Sequence, residues 1–190
     1  MEGCDGTAEG KPDELTYRRY KRFAKGGAGL LWFEATAVVE EGRANPRQIY
    51  ICSENKEEFK KLLNDAIEAA KEEFGDNYRP YTVVQLTHSG RYSRPTGKPA
   101  PIIATNNPYL GRNLPEDYPL ITDEELERLE DKFVEAAILA KEIGFDAVDI
   151  KACHGYLNSE LLSAFTREGK YGGSFENRTR FLLNIVDKIK

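Results

Sequence analysis

Apolar positions along this chain follow two periods, one near 3.6 residues and one of two, and segments of each kind alternate. Residues 15–26 read as a helix, with Leu15, Arg19 and Phe23 in register and Gly26-Gly27 as the stop. Leu30, Leu31, Trp32 and Phe33 then form a run short enough for a buried strand. Across 59–74 the residues Leu62, Leu63, Ala66, Ile67 and Ala70 make a helical stripe that ends at Gly75. Residues 81–86 are the next strand, followed by a long loop rich in Pro, Gly and Asn. Thr122-Asp123-Glu124-Glu125 has the spacing of a capping box. The helix it opens buries Leu126, Leu129, Phe133, Ala137 and Ala140 and stops at Gly144. Residues 147–150 form a third strand, 156–165 a short helix, and a last helix starts near residue 177.

Strands separated by helices of this length imply βαβ units and a parallel sheet. A doubly wound sheet wants a glycine-rich phosphate turn after its first strand, and no strand here is followed by G-x-G-x-x-G. A barrel instead puts its chemistry on the loops at the carboxyl ends of its strands. Glu34-Ala35-Thr36, the stretch 85–91 and the stretch 151–156 all fall there, which favours the barrel. Three strands against the eight of a closed barrel predict an incomplete one.

Composition narrows the setting. The 190 residues suit one domain, and 40% hydrophobic with 31% charged residues is ordinary for a globular protein. A net charge of −5 with interspersed signs offers no basic face for nucleic acid. No run is long enough to span a bilayer, so no membrane contact is expected. Residues 1–6 have neither the basic start nor the apolar run of a signal peptide. Cys4, Cys52 and Cys153 lie far apart without metal-ligand spacing. A cytoplasmic protein without a bound metal is the expectation.

The densest chemistry is Asp149-Ile150-Lys151-Ala152-Cys153-His154-Gly155-Tyr156-Leu157, directly after the apolar run 145–148. Strand alternation sends Val148 and Ile150 to one face and Asp149 and Lys151 to the other. Charges on an inward face are costly unless they line a site. Lys151, His154 and Tyr156 are close enough in sequence for general-acid chemistry. The competing reading is a solvated loop whose polar residues only cap the following helix.

The chain resembles the old yellow enzyme family of flavin-dependent ene-reductases, in the branch that includes 2,4-dienoyl-CoA reductase. The likeness rests on four motifs in order: Glu34-Ala35-Thr36-Ala37-Val38 with Gly42-Arg43, Gln85-Leu86-Thr87-His88-Ser89-Gly90-Arg91, His154-Gly155-Tyr156-Leu157, and the stretch 171–178 with Arg180-Phe181. It implies an eight-stranded (β/α) barrel carrying flavin mononucleotide (FMN), reduced by NAD(P)H and reoxidised by an alkene conjugated with a carbonyl. Residues 1–190 would then be an α/β partial TIM barrel, about strands two to four, the N-terminal half of the FMN-binding domain. An iron–sulfur cluster would belong only to a C-terminal part outside this sequence, and the complete protein is expected to be a homo-oligomer.

The resemblance also implies roles. Ala35 and Gln85 match flavin-contacting positions. Phe33 and Ala35 share one strand face by parity, as do Val83 and Gln85, so Ala35 and Gln85 are each expected to point to the barrel mouth. Met1 and Glu2 fall where the first loop touches the flavin, and a carboxylate at Glu2 is unusual there. His154 matches the residue that hydrogen-bonds the substrate carbonyl, and Tyr156 the tyrosine that protonates the α-carbon. Lys151 departs from the pattern, since many members carry a second His; a lysine there would polarise a carbonyl or hold an acidic enone or dienoyl substrate.

The remaining motif residues read as structural. His88 is expected to be a hydrogen-bonded loop histidine, and Cys153 a small buried filler, the alternative being a thiol made reactive by Lys151 and His154. Ser174 would cap the last helix, while Arg178 and Arg180 would tie loops together by ion pairs. Two rivals stay open: a Schiff-base aldolase using Lys151 with Tyr156 as its acid, and a non-catalytic half-barrel.

Overall fold

The computed structural model describes residues 1–111 and 113–190. Three parallel strands, β1 (Leu30–Ala37), β2 (Tyr81–Thr87) and β3 (Ala147–Ile150), lie in the order β1-β2-β3. Between and around them run α1 (Glu14–Lys25), α2 (Lys56–Phe74), α3 (Asp123–Ile143), α4 (Leu157–Leu162) and α5 (Phe175–Ile189). Leu31, Phe33, Val84 and Leu86 pack with residues of these helices into one core. Leu30, Trp32 and Tyr81, on the other face of the sheet, are half exposed. Strands in sequential order with helices on one face have the winding of a barrel wall, where a doubly wound sheet would reverse its order.

Local rules account for most element ends. Thr122 Oγ1 accepts the Glu125 N–H at 3.1 Å, and the Thr122 N–H returns to Glu125 Oε2 at 2.7 Å, closing the expected capping box. Gly144 ends α3 in the left-handed region at φ 110°. Ser174 caps α5 by accepting the Asn177 N–H at 3.3 Å, so the helix opens at Phe175, two residues before the position predicted.

Three expectations about packing need correction. In α1 the buried stripe is Thr16, Tyr20 and Ala24, not Leu15 and Phe23, which stay half exposed. Tyr20 decides this: its ring stacks on Phe33 at 4.1 Å and its hydroxyl accepts the Glu34 N–H at 2.6 Å. The run 30–33 is buried only at Leu31 and Phe33, because the helices cover one face of β1. Arg178 and Arg180 make no ion pair among the described residues; they bond backbone carbonyls, with Arg178 Nε donating to Gly173 O at 3.1 Å and Arg180 Nε to Lys170 O at 2.9 Å.

β1 also carries a bulge. Phe33 pairs with Val84 but Thr36 with Leu86, so one extra residue sits on β1. Phe33 and Ala35 therefore do not share a face. The extra residue turns Ala35 back to the side of Gln85, which the simple alternation from Phe33 would not have done.

At the bulge, buried Glu34 gathers the N-terminal segment. Its carboxylate accepts the Gly3 N–H and pairs with Arg19, which also reaches Asp5 at 3.0 Å. The Ala35 N–H donates to Met1 O at 3.2 Å, and Asn45 Nδ2 to Gly3 O at 3.1 Å. Burial pushes the Glu34 carboxyl up to about 7, against the opposing pull of Arg19. The effect on the fold is a latch: residues 1–3 lie across the carboxyl end of β1.

His88 anchors the loop after β2. It is buried, and its Nδ1 accepts the Gly90 N–H at 3.0 Å. Burial depresses its pKa to about 4, since protonation would place a charge in the core and a donor against a donor. A depressed histidine stabilises the fold above its unfolded pKa and loses that contribution as pH falls through the folded one.

Two outcomes follow from this architecture. The unfolding free energy should drop by about 3 kcal/mol as pH falls from about 6.5 to about 4 through His88 alone. Urea titrations of wild type and His88→Gln across that range should diverge by this amount, and parallel curves would remove the histidine from the account. The open sheet face, together with the outer edge of β3, which pairs with no further strand among the described residues, should drive the 190-residue polypeptide to self-associate. Trp32→Lys should shift sedimentation toward monomer with unchanged helical circular dichroism; wild type already monomeric at high concentration would contradict the expectation.

Candidate active site

The site is built at the carboxyl end of β3. The Lys151 N–H continues the ladder to Leu86 O at 3.0 Å, and buried Asn158 donates its Nδ2 to Lys151 O at 2.9 Å. The chain then turns through His154 and Gly155, at φ 61° and 66°. A left-handed histidine costs of order 1 kcal/mol or more, a strain that clusters at sites where side chains must be aimed. Tyr156 stands at the N-cap of α4, with the Leu157 N–H donating to His88 O at 3.2 Å.

A buried ion pair locks this turn to the neighbouring loop. Arg91 contacts Glu160 at 2.7 and 3.2 Å, and both side chains are 5% exposed. Glu160 Oε1 also accepts the N–H groups of Ala104 and Thr105 at 3.0 and 3.1 Å. Gly90 belongs to the same contact. At φ 57°, a Cβ there would come within 2.8 Å of the Leu157 backbone nitrogen.

Onto this frame the latch delivers Glu2. Its Oε1 accepts the Tyr156 hydroxyl at 2.5 Å, and its Oε2 lies 3.4 Å from Lys151 Nζ. The Lys151 side chain is 1% exposed, and its ammonium also sits 4.1 Å from the centroid of the Tyr156 ring. Burial pushes the Glu2 carboxyl up, but the hydrogen bond from Tyr156 and the charge of Lys151 outweigh it and hold the carboxyl below its usual value. Burial first, then the bond to Glu2, pushes the Tyr156 phenol well above the ordinary tyrosine range.

The residues singled out in the sequence thus fall into two groups. Met1, Glu2, His154 and Tyr156 surround a cavity of about 410 Å3, with Ala44, Tyr92 and Arg94 completing its wall. The His154 ring lies 6.4 Å from that of Tyr156. Ala35 and Gln85 sit beside this cavity rather than on it. Ala35 is fully buried under Met1, and Gln85 Nε2 donates to Asp149 Oδ2 at 2.5 Å. Asp149 and Lys151 emerge on the face opposite Val148 and Ile150, which pack against the helical core.

Cys153 is exposed, its Sγ 3.4 Å from His154 Nδ1, and so is not the buried filler expected. The tight turn projects it outward before Tyr156 folds back. Sequence reasoning passed over Glu160, Asn158 and Arg19, which position the site without touching the cavity. The one signal for Glu160 lay with its partner, since Arg91 is the basic residue of the stretch 85–91 and a buried arginine demands an acid. Among the described residues no cluster of three or more His, Cys, Asp or Glu side chains has the geometry to hold a metal ion. No described helix is long and apolar enough to cross a membrane.

Comparison with known proteins gives the family and the fold. An NADPH dehydrogenase of Bacillus pumilus is 33% identical over 183 residues, covering 95% of this chain and 51% of that protein. One of a Geobacillus species is 34% identical over 194 residues, covering 100% of this chain and 53% of its own. The chain thus spans about half the length of the curated relatives it matches. Old Yellow Enzyme from Pichia sp. superposes with a TM-score of 0.82 at 23% identity, over 100% of this chain and 50% of that one, which shows the shared barrel fold. The sequence profile of one family matches residues 3–190, so this chain belongs to the NADH:flavin oxidoreductase / NADH oxidase family.

Proposed function

We propose that residues 1–190 form the N-terminal half of the (β/α)8 domain of an FMN-dependent oxidoreductase. It would take reducing equivalents from NAD(P)H and reduce an alkene conjugated with a carbonyl. The observation that carries this reading is the convergence of Glu2, Lys151, His154 and Tyr156 at the carboxyl ends of the strands in a member of this family.

The side chains present are compatible with a flavin. Ala35 brings no side chain beyond Cβ, so a planar ring would approach β1 there once Met1, which lies over it, gives way. Gln85 is half-buried and gives only its amide nitrogen to Asp149, leaving an acceptor oxygen for a pyrimidine N–H. Met1 and Glu2 lie along the same end of the sheet. Lys151 offsets the negative charge that Glu2 would otherwise bring to a reduced, anionic ring. These four, Met1, Glu2, Ala35 and Gln85, are the residues we assign to the cofactor. When bound, FMN supplies a two-electron carrier between the nicotinamide and the alkene.

His154 would donate a hydrogen bond to the substrate carbonyl oxygen, where negative charge grows as the β-carbon is reduced. Tyr156 would give its phenolic proton to the α-carbon: a C–H bond forms as the O–H bond breaks. Its raised pKa keeps that proton in place throughout the neutral range. Lys151 would join His154 at the substrate only by exchanging Glu2 for the substrate's oxygen. A Schiff-base reaction through Lys151 fits less well, because the amine is buried and already engaged as a cation.

The test is stopped-flow kinetics of the FMN-loaded protein, with the two half-reactions measured separately. Tyr156→Phe should slow reoxidation by an enone about a hundredfold while leaving flavin reduction nearly unchanged. His154→Ala should lose about 3 kcal/mol of transition-state stabilisation in the same step. Equal slowing of both half-reactions by Tyr156→Phe would defeat the assignment.

A further inference from the structure

One arrangement at the site departs from the resemblance. Glu2 stands between Lys151 and Tyr156, with one carboxylate oxygen on each. The phenolic O–H therefore points at Glu2, and Lys151 is closed off from the cavity. We propose that Glu2 is the positioning residue for Tyr156, its carboxylate fixing the phenol and keeping it protonated, and that Lys151 serves as the counter-ion of Glu2 rather than as a substrate ligand. The proposal deepens the reading above and rests on it for the role of Tyr156.

Three features carry it. The Glu2 carboxylate is held in place from behind, since the Gly3 N–H is bound to Glu34 and Met1 O to the Ala35 N–H. Lys151 has no other acidic partner among the described residues, so without Glu2 its buried ammonium would be uncompensated. Its contact with the Tyr156 ring means the two charges act on the phenol in opposite senses. Glu2 disfavours the phenolate, and Lys151 without Glu2 would favour it. The pair thus sets whether this tyrosine is an acid or an anion. Other groups face the phenol as well: Cys153 and His154 from the loop after β3, Tyr92 and Arg94 from the segment after β2, and the N-terminal residue Met1.

The test follows ionisation in the full chain by NMR of Cζ-labelled tyrosine and Cδ-labelled glutamate, with Tyr156→Phe and Glu2→Gln assigning the signals. Glu2→Gln should lower the Tyr156 midpoint, because the ammonium then faces the phenol alone. Lys151→Met should raise the Glu2 midpoint, because its cationic partner is gone. In the FMN-loaded protein, the alkaline fall in enone-driven reoxidation should move to lower pH in Glu2→Gln. At about pH 10 that variant should be slower than wild type by roughly tenfold. Tyr156 and Glu2 midpoints that stay in place would overturn the proposal, whatever the enone kinetics show. If Glu2→Gln does not fold, Lys151→Met decides alone: a raised Glu2 midpoint supports the pair and an unmoved one overturns it. The shifted midpoints without any enone reduction would uphold the positioning role and remove the reading of the reaction instead.

Discussion

The buried pair of Arg91 and Glu160 is the constraint on which the site depends. A carboxylate with 5% exposure is costly to desolvate, and Glu160 meets that cost with two contacts from Arg91 and two backbone N–H groups. Removing one partner of such a pair typically costs 3–5 kcal/mol, because the other charge is stranded. The specificity of the arrangement matters more than its net energy. Arg91 comes from the loop after β2, Glu160 from α4, and the N–H groups from residues 104 and 105 between β2 and α3. Three segments therefore cannot move independently. Tyr156, one turn before Glu160 and at the start of the same helix, inherits that rigidity.

The N-terminal segment is attached by a different device. Glu34 sits at a bulge in β1, and the bulge aims Ala35 toward the mouth while Glu34 turns to Arg19 and Gly3. One irregularity in the ladder thus does two jobs. It returns a small residue to the side of Gln85, and it supplies the acceptor that carries residues 1–3 over the strand end. The carboxylate of Glu2 then meets a tyrosine 154 residues away in sequence. The wall of the cavity is made of these two independently anchored pieces.

Much of the fold was legible because it follows local rules. The stripe of α2, the capping box and glycine stop of α3, and the three strands emerge from period and turn chemistry alone. What was not legible was which face each element buries. In α1 both Leu15 and Thr16 lie on plausible stripes, and only the stacking of Tyr20 on Phe33 selects the second. Parity along β1 failed at the bulge for the same reason, since an inserted residue is set by pairing with β2 and leaves no mark in β1 itself. In the site, Lys151, His154 and Tyr156 could be gathered because they are close in sequence. Glu2 was recognisable as unusual, but its pairing with Lys151 and Tyr156 needed the latch at Glu34, a contact between distant segments. Glu160 was missed because a short helix gives too few turns to show which side is buried.

The two faces of the sheet explain why a site can be ordered on an open wall. On the helical side, Leu31, Phe33, Val84 and Leu86 are sealed against α1, α2 and α3, so strand order and register are fixed without any contribution from the opposite face. On that opposite face, the residues near the amino ends of β1 and β2, Leu30, Trp32 and Tyr81, remain half exposed. Toward the carboxyl ends the same face is different. Gln85 bonds Asp149 across β2 and β3, and Lys151 is covered by Glu2. Polar satisfaction therefore closes the end that would do chemistry, while apolar surface is left open at the other end. Hydrogen bonds and ion pairs are directional and hold few geometries, whereas apolar burial accepts many partners. The order of the candidate site thus derives from contacts already complete within these residues, and the open apolar end asks only for surface to cover it.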